Sequence, residues 1–437
     1  MLHHDPLQLD RILRDFATRG ARFARRLERE GDAPEHAFEV WPQGVNLDLY
    51  HALLDKQAAD PLAKHAARWF SWLWVEHAAI EPARRAARAE RLETHALDWP
   101  ERGQFRYREV LGRALADGAR RREWLLALAE VAPDVVSARF RLWERKSEAY
   151  AELRRAPLAL DVEAPLVSDV VGQFLAGSND AFADLGLGEL SELVSVGLGR
   201  DVAAGFPSRL STRSLGELFH EGDWLRGMNF EPERVPELAG AASVLRALAA
   251  FGAAWHDAGA NRGRPFVLSH DPLGARRAGF AALFALLPLE RSFAARRFDV
   301  GRSQVPDYLR GMSRVVLLGT RLTALRALLA PALFEGRSAE LARFRDAVPR
   351  VLGFELDERF AGALFADERG LVRAAAAFWA AERLRVLRET HDEDWFRNPR
   401  AVAELRAELE TPPAFAPSGA ELEAGARELS AALSRAL

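Results

Sequence analysis

Apolar residues recur at three- and four-residue spacing along most of this chain, the period of an α-helix that buries one face. The pattern is clearest over Leu62–Ala79, Arg106–Glu130, Val135–Arg154, Leu238–Ala258 and Leu371–Glu389. On the opposite faces Arg and Glu often stand three or four apart, where oppositely charged side chains support a helix. Alternating β-branched runs are nearly missing, and Leu158–Val167 alone reads as a short strand or loop. Ser418 and Glu421 have the spacing of a capping box ahead of a last helix with Leu422, Leu429, Leu433 and Leu437 on one side. The expected fold is all-α: an elongated multi-helix body with a central cleft and little or no sheet.

Turn signals divide the chain coarsely. Pro42-Gln43-Gly44 closes an N-terminal segment, and Ala156–Asp180 is expected to break the chain before its middle. Further turns are read at Asn229–Pro232 and Arg262–Gly274, and Thr411–Gly419 is a linker. The expected divisions are an N-terminal helical region over 1–155, a second helical region over 156–410, and a linker with a terminal helix over 411–437.

Composition then narrows the chemistry. The 437 residues are 49% hydrophobic, enough to bury a large core, and the net charge is only −3. The basic side is almost all arginine, which together with abundant alanine and leucine looks like codon bias. The absence of cysteine excludes disulfides, thiolate metal sites and a cysteine nucleophile. Interleaved charges argue against a nucleic-acid binder, and without an unbroken apolar run of ~18 residues no membrane span is expected. The first stretch, MLHHDPLQLDRILRDF, carries charges unlike a secretory signal, so the expected location is the cytoplasm.

Candidate sites are few. His220-Glu221 begins a pattern like H-E-x-x-H, but Trp224 stands where the second metal ligand belongs. His256-Asp257 and His270-Asp271 are two His–acid pairs, each beside a turn, without the spacing of a preformed metal half-site. Arg84, Arg85, Arg88 and Arg91, like Arg120–Arg122, read as solvated helix faces. Trp69, Trp72 and Trp74 read first as core and second as a partner-binding patch. Gly186-x-Gly188 and Gly197-x-Gly199 lack the third glycine and the strand of a phosphate loop.

A longer constellation lies in the second half. Gly252, Ala254 and His256 share one helix, Pro265-Phe266 follows, and Arg277–Phe284 reads RAGFAALF. Asp201, Phe206-Pro207 and Leu210 lie upstream; Phe378-Trp379, Glu382 and then Asp394–Pro399 (DWFRNP) lie downstream. Over roughly residues 190–410 this set resembles the catalytic region of helical zinc peptidases of the oligoendopeptidase and angiotensin-converting-enzyme type. Those enzymes carry H-E-x-G-H-A-x-H on one helix and a glutamate ligand on another, nearly thirty residues after the first histidine.

In the register that the resemblance implies, the zinc histidines are replaced by Ala249 and Ala253, the water-activating glutamate by Ala250, and the third ligand by Ala278. Alanine neither binds zinc nor moves a proton. The late helix also lacks the family's oxyanion-steadying tyrosine over Leu371–Ala377. No metal and no cofactor is therefore expected. The implied function is a catalytically inactive metallopeptidase-like protein that binds a peptide or protein, with His256, Asp257, His270, Asp271 and Arg277 as cleft-binding candidates. One alternative is an enzyme reusing the cleft for hydrolase-type acid–base chemistry through those residues. Another is an unrelated helical interaction protein working through Trp69–Trp74 or the terminal helix.

Overall fold

Stretches with helical periodicity become helices wherever a cap or turn residue lets them start and stop. In a computed structural model, described over residues 6–33, 40–41, 45–157, 164–202, 204–206, 212–219, 224–225, 228, 240–260, 264–410 and 417–437, the chain is an elongated all-α body. The helices are α1 (Pro6–Glu30), α2 (Leu47–Lys56), α3 (Pro61–Ala78), α4 (Ile80–Arg91), α5 (Tyr107–Ala116), α6 (Arg121–Glu152), α7 (Ala164–Gly177), α8 (Asn179–Ala183), α9 (Leu190–Leu198) and α10 (Thr212–Leu218). They continue with α11 (Ala241–Ala260), α12 (Phe266–Ser269), α13 (Ala275–Leu286), α14 (Arg291–Arg297), α15 (Val305–Glu335), α16 (Arg337–Leu352), α17 (Gly370–His391), α18 (Pro399–Glu410) and α19 (Gly419–Ala436). Among the described residues the only strands form one antiparallel hairpin, β1 (Thr94–Leu97) with β2 (Gly103–Arg106), in which His95 faces Phe105.

Local chemistry explains several boundaries. Ser418 Oγ accepts the N–H of Glu421 while the Glu421 carboxylate accepts that of Ser418, so the expected capping box opens α19. Asn398 caps α18, its Oδ1 accepting from Arg400 N at 3.0 Å, and Pro399 occupies the first position, where its missing N–H is harmless. The pattern over Arg106–Glu130 is not one helix. Asp117 turns the chain by accepting Arg120 N at 3.1 Å, separating α5 from α6, which then runs on through Pro133. The expected break over 156–180 is also shorter than read. Val167, Val170, Val171, Phe174 and Leu175 form a buried face on α7, and Ser178 alone separates α7 from α8. The first six residues of the segment read as a strand or loop (158–163) lie outside the described residues, and Ala164–Val167 are helical.

The side chains settle into two apolar clusters. The smaller gathers α1, α2 and α3 with Phe266 and Val267 of α12; it includes Trp69, Phe70 and Leu73. Of the tryptophan run Trp69 is buried and Trp72 and Trp74 are half-buried against the cluster: Trp69 donates to His270 O at 2.9 Å, and Trp74 stacks on Phe70 at 5.9 Å between ring centroids. The larger cluster surrounds α15, which packs on α16, α17, α9 and α19. By length and composition α15 is also apolar enough to cross a membrane, and 61% of its most apolar window is buried within the bundle.

Buried charges hold the joints between these parts. Asp10 accepts the N–H groups of Phe266 and Val267, both at 3.0 Å, and so caps α12 from α1. Lys146 of α6 sits between Glu76 of α3 at 2.8 Å and Glu368 at 2.9 Å. Arg321, with 1% of its surface exposed, gives its guanidinium to helix-end carbonyls: Val351 O at 2.7 Å at the end of α16 and Leu175 O at 3.5 Å at the end of α7. Carbonyls in the last turn of a helix lack intrahelical partners, so one buried arginine satisfies two helix ends. Burial lowers its affinity for its proton to a pKa of about 10, still well above neutrality.

The closest approach relevant to function is that of α11 on α13. A Cβ at Gly252 would stand 2.4 Å from Phe280 O and 2.8 Å from the Phe284 ring, so only glycine lets the two helices meet there. Gly252→Ala is therefore expected to destabilise the protein by about 2 kcal/mol, within the usual range for overpacking, although alanine is the better helix former. At Gly172 of α7 nothing lies within 4 Å of the same atom, and Gly172→Ala should stabilise by about 0.5–1 kcal/mol. Urea unfolding of both variants checks the sign of each.

Candidate functional site

Helices α11 and α13 run antiparallel: Gly252 meets Phe280, and five residues further along α11 Asp257 meets Arg277. Their far side is anchored by aromatic rings. Phe219 stacks on Phe251 at 4.3 Å, while Trp224, with no exposed surface, contacts Trp255, Phe284 and Trp395 and donates to Phe396 O at 2.7 Å. The DWFRNP stretch thus serves as a wedge, with Trp395 and Phe396 buried behind α11 and α13.

On the near side α11, α13, α15 and α17 enclose a cavity of about 500 Å³. Its wall is alkyl and small: Leu245 and Ala249 from α11, Ala278, Ala281, Ala282 and Ala285 from α13, Val315, Val316 and Gly319 from α15, Val372, Ala376 and Ala377 from α17. Thr320 and Thr323 add hydroxyls, but both donate to carbonyls of their own helix, Val316 O and Gly319 O, each at 2.9 Å. The charged groups in the lining are Arg277, Arg369 and Arg373, and among the described residues no carboxylate or histidine joins them. Arg277 is paired with Asp257 at 2.9 Å and Arg373 with Asp367 at 3.2 Å. The half-buried Arg369 guanidinium has no hydrogen-bond or ion-pair partner among the described residues.

Two positions that the peptidase resemblance assigns to zinc ligands, Ala249 and Ala278, lie in this wall. Ala253 is 4% exposed and buried beneath it, and Ala250 is half-buried against the core. These methyl groups offer no metal donor. Among the described residues no three His, Asp or Glu side chains are placed to hold a metal ion. His220 and Glu221 lie outside the described residues.

Of the five polar candidates, three come together, and one of them, Arg277, also lines the cavity. His256 Nδ1 and Asp257 Oδ1 are 3.1 Å apart, and Arg277 Nε donates to both oxygens of Asp257 at 2.9 and 3.2 Å. His256 is 4% exposed. Burial pulls its pKa below the ordinary histidine value, outweighing the opposing pull of Asp257. For Asp257 burial acts upward, but the His256 hydrogen bond and the Arg277 charge outweigh it and hold the carboxyl below the usual range. The arrangement is a neutral imidazole donating through Nδ1 to a carboxylate already neutralised by arginine. His270 is near enough to feel both; burial lowers its pKa first, and a proton on His256 lowers it further. Its ring stacks on Phe266 at 4.9 Å. Asp271 is occupied elsewhere. It accepts from Leu273 N and Ala275 N at the start of α13 and faces Arg68 at 3.9 Å, a structural cap.

Two features escape sequence reading. Arg369 looks like any other arginine until α17 sets it at the cavity mouth. Glu290 looks like a helix-start glutamate, yet it is 6% exposed and lines a second cavity. The arginine stretches also differ from simple solvated faces: Arg84 is buried over Phe23 with its guanidinium 5.5 Å from the ring centre, and Arg121 is buried, donating to Ala114 O at 3.1 Å. The chain matches no profile of a known protein family, no curated protein and no solved structure.

The two histidines give a direct check on this electrostatic picture. Proton NMR titration of the imidazoles should place His256 and His270 below pH 6.5, the value of a free histidine. Since the unfolded imidazoles take up protons first, their contribution to stability is complete above pH 6.5 and is lost as the pH falls toward the folded values. A midpoint for His256 above 6.5 would mean that its carboxylate neighbour dominates instead.

Proposed function

We propose that this protein is a catalytically inert relative of the helical zinc peptidases that has kept their cleft as a binding site. The ligand class we assign is the carboxyl-terminal end of an apolar peptide. One observation carries the reading: an alkyl cavity whose described lining holds three arginines and no acid, with no hydrogen bond from the Arg369 guanidinium among the described residues. Alkyl side chains of the peptide would fill the space between Ala249, Ala278 and Ala376, gaining roughly 25 cal/mol for each Å² of apolar surface removed from water. The terminal carboxylate would face Arg369, with a strength typical of charge-assisted hydrogen bonds.

The peptidase ancestry rests on the resemblance and on the placement of Ala249 and Ala278 at one wall. The same position that suits a zinc ligand in an active enzyme here presents a methyl group to the ligand. A peptide partner accords with this better than nucleic acid or a membrane, because the three arginines border an alkyl cavity. For a chain without cysteine we place this activity in the cytoplasm.

A second reading, an acid–base enzyme, is favoured by the convergence of His256, Asp257 and Arg277. The buried neutral imidazole has the form of a general base oriented by a carboxylate. Yet Asp257 is already neutralised by Arg277, and Ser269, a nearby hydroxyl in sequence, is itself tied to Pro265 O at 3.0 Å. Binding without turnover is the reading we adopt.

Calorimetry with the full chain and the peptide acetyl-Leu-Ala-Leu, as free acid and as amide, tests it. The acid should bind about tenfold or more tightly than the amide, a difference of about 1.4 kcal/mol. Arg369→Ala should remove that preference, and Ala281→Trp, which fills the cavity, should abolish binding of both. After incubation with zinc and dialysis, elemental analysis should find far less than one zinc per chain. Equal binding of acid and amide, or chelator-sensitive cleavage of the peptide, would overturn the proposal.

A further inference from the structure

A second cavity, of about 400 Å³, lies where the end of α13 meets α14, α15, α17 and α19. Leu286 and Leu429 line both cavities, so the two stand on either side of these side chains. Leu289, Leu309, Leu384 and Ala432 give the remaining wall an apolar part, and Glu290, Glu428 and four arginines give it a charged part. Into this setting the chain places one buried carboxyl. Glu290 precedes the first residue of α14, and its main chain is fully used: its N–H donates to Leu287 O and its carbonyl accepts from Ala294, at 2.9 and 3.0 Å. The side chain has no such partner. Among the described residues it accepts no hydrogen bond, and the nearest cation, Arg388 Nη1, is 3.6 Å away.

That cation is already committed. Arg388 donates through Nη2 to Glu428 at 2.6 Å. The other charged groups facing Glu290 are Arg291 from α14, Arg310 from α15, Arg435 from α19 and Glu393 beyond α17. Arg310 is held by Asp307 at 2.9 Å, and Arg435 leans toward Glu428 at 3.7 Å. Two acids therefore share Arg388, with the better geometry going to Glu428. Burial raises the Glu290 carboxyl to about 7, Arg388 opposing and Glu393 and Glu428 adding. A buried ionised carboxylate without a donor is unfavourable by several kcal/mol. A ligand that brings a hydrogen-bond donor to this carboxyl would therefore be stabilised there.

We propose that this cavity binds a primary ammonium carried on an apolar chain, with Glu290 accepting from the ammonium and Leu289, Leu309 and Leu384 holding the chain. An ammonium brings three N–H donors on one compact group, and a hydrogen-bond donor is what the carboxylate lacks. The site is separate in its chemistry from the cavity at Ala249 and Ala278, and its occupation does not depend on the peptide reading.

Calorimetry of the full chain with n-octylamine tests this, with octanoate as the control of opposite charge. At about pH 8 octylamine should bind at a single site and octanoate at least tenfold more weakly. At about pH 6 octylamine should bind several-fold more weakly, because Glu290 is protonated below about 7 while the ammonium keeps its charge. Glu290→Gln should lose at least tenfold in affinity for octylamine. This variant should remain folded and melt higher than the parent near pH 8, since a carboxyl with a raised pKa contributes stability that is lost as the pH rises through that value. Ala432→Trp, which fills the space without touching the carboxyl, should abolish binding, whereas Ala281→Trp in the first cavity should leave it intact. Unchanged octylamine affinity in Glu290→Gln, or octanoate binding as tightly as octylamine, would overturn the proposal.

Discussion

The close approach of α11 and α13 at Gly252 is the constraint on which the candidate site depends. Because no Cβ intervenes, the Phe280 carbonyl can lie against the α11 backbone, and the two helices form one continuous wall. Any larger residue would push them apart and open the aromatic packing of Phe251, Trp255 and Phe284 behind them. The same approach brings Asp257 opposite Arg277 and sets Ala249 and Ala278 on one cavity. The small side chains do the rest. A wall of leucines or phenylalanines would fill the space, as it does on the far side.

Around this wall the protein uses its buried charges in two ways. Arg321, Asp10 and the Lys146–Glu76–Glu368 group satisfy helix ends or one another and join elements distant in sequence. Their partners are complete, so they read as architecture. Arg369 and Glu290 differ: each faces a cavity, and neither has a hydrogen-bond partner for its side chain among the described residues. A charged group that faces a cavity without a hydrogen bond is a better guide to a binding site than the number of charges around it. His256 falls between the two groups, buried and bonded to Asp257, whose other partner Arg277 lines the cavity.

Much of the fold is legible in the sequence because helical periodicity and capping are local properties. The segments read over Leu62–Ala79 and Leu371–Glu389 match α3 and α17 closely, and the Ser418–Glu421 box does open α19. Where the reading failed, tertiary burial or a single turn decided. The Asp117 turn interrupts a periodic stretch, Pro133 is carried inside α6, and α7 forms in a stretch read as a break because its valines find a partner surface. The candidate site is partly legible. The sequence offers Ala249 and Ala278 through a resemblance, and it offers His256, Asp257 and Arg277, which the fold brings together. Asp271 was named with them but serves to cap α13. Arg369 and Glu290 were invisible, since nothing local in the sequence says that a glutamate at the start of α14 will be covered by α15, α17 and α19.

The central claim is that the cavity between α11, α13, α15 and α17 holds an apolar peptide end with its carboxylate at Arg369. A crystal structure of the full chain grown with acetyl-Leu-Ala-Leu tests it most directly. The account predicts peptide density along Ala249, Ala278 and Ala376, with the terminal carboxylate within hydrogen-bond distance of the Arg369 guanidinium. An unoccupied cavity at saturating peptide, or a peptide lying reversed with its carboxylate away from Arg369, would contradict it.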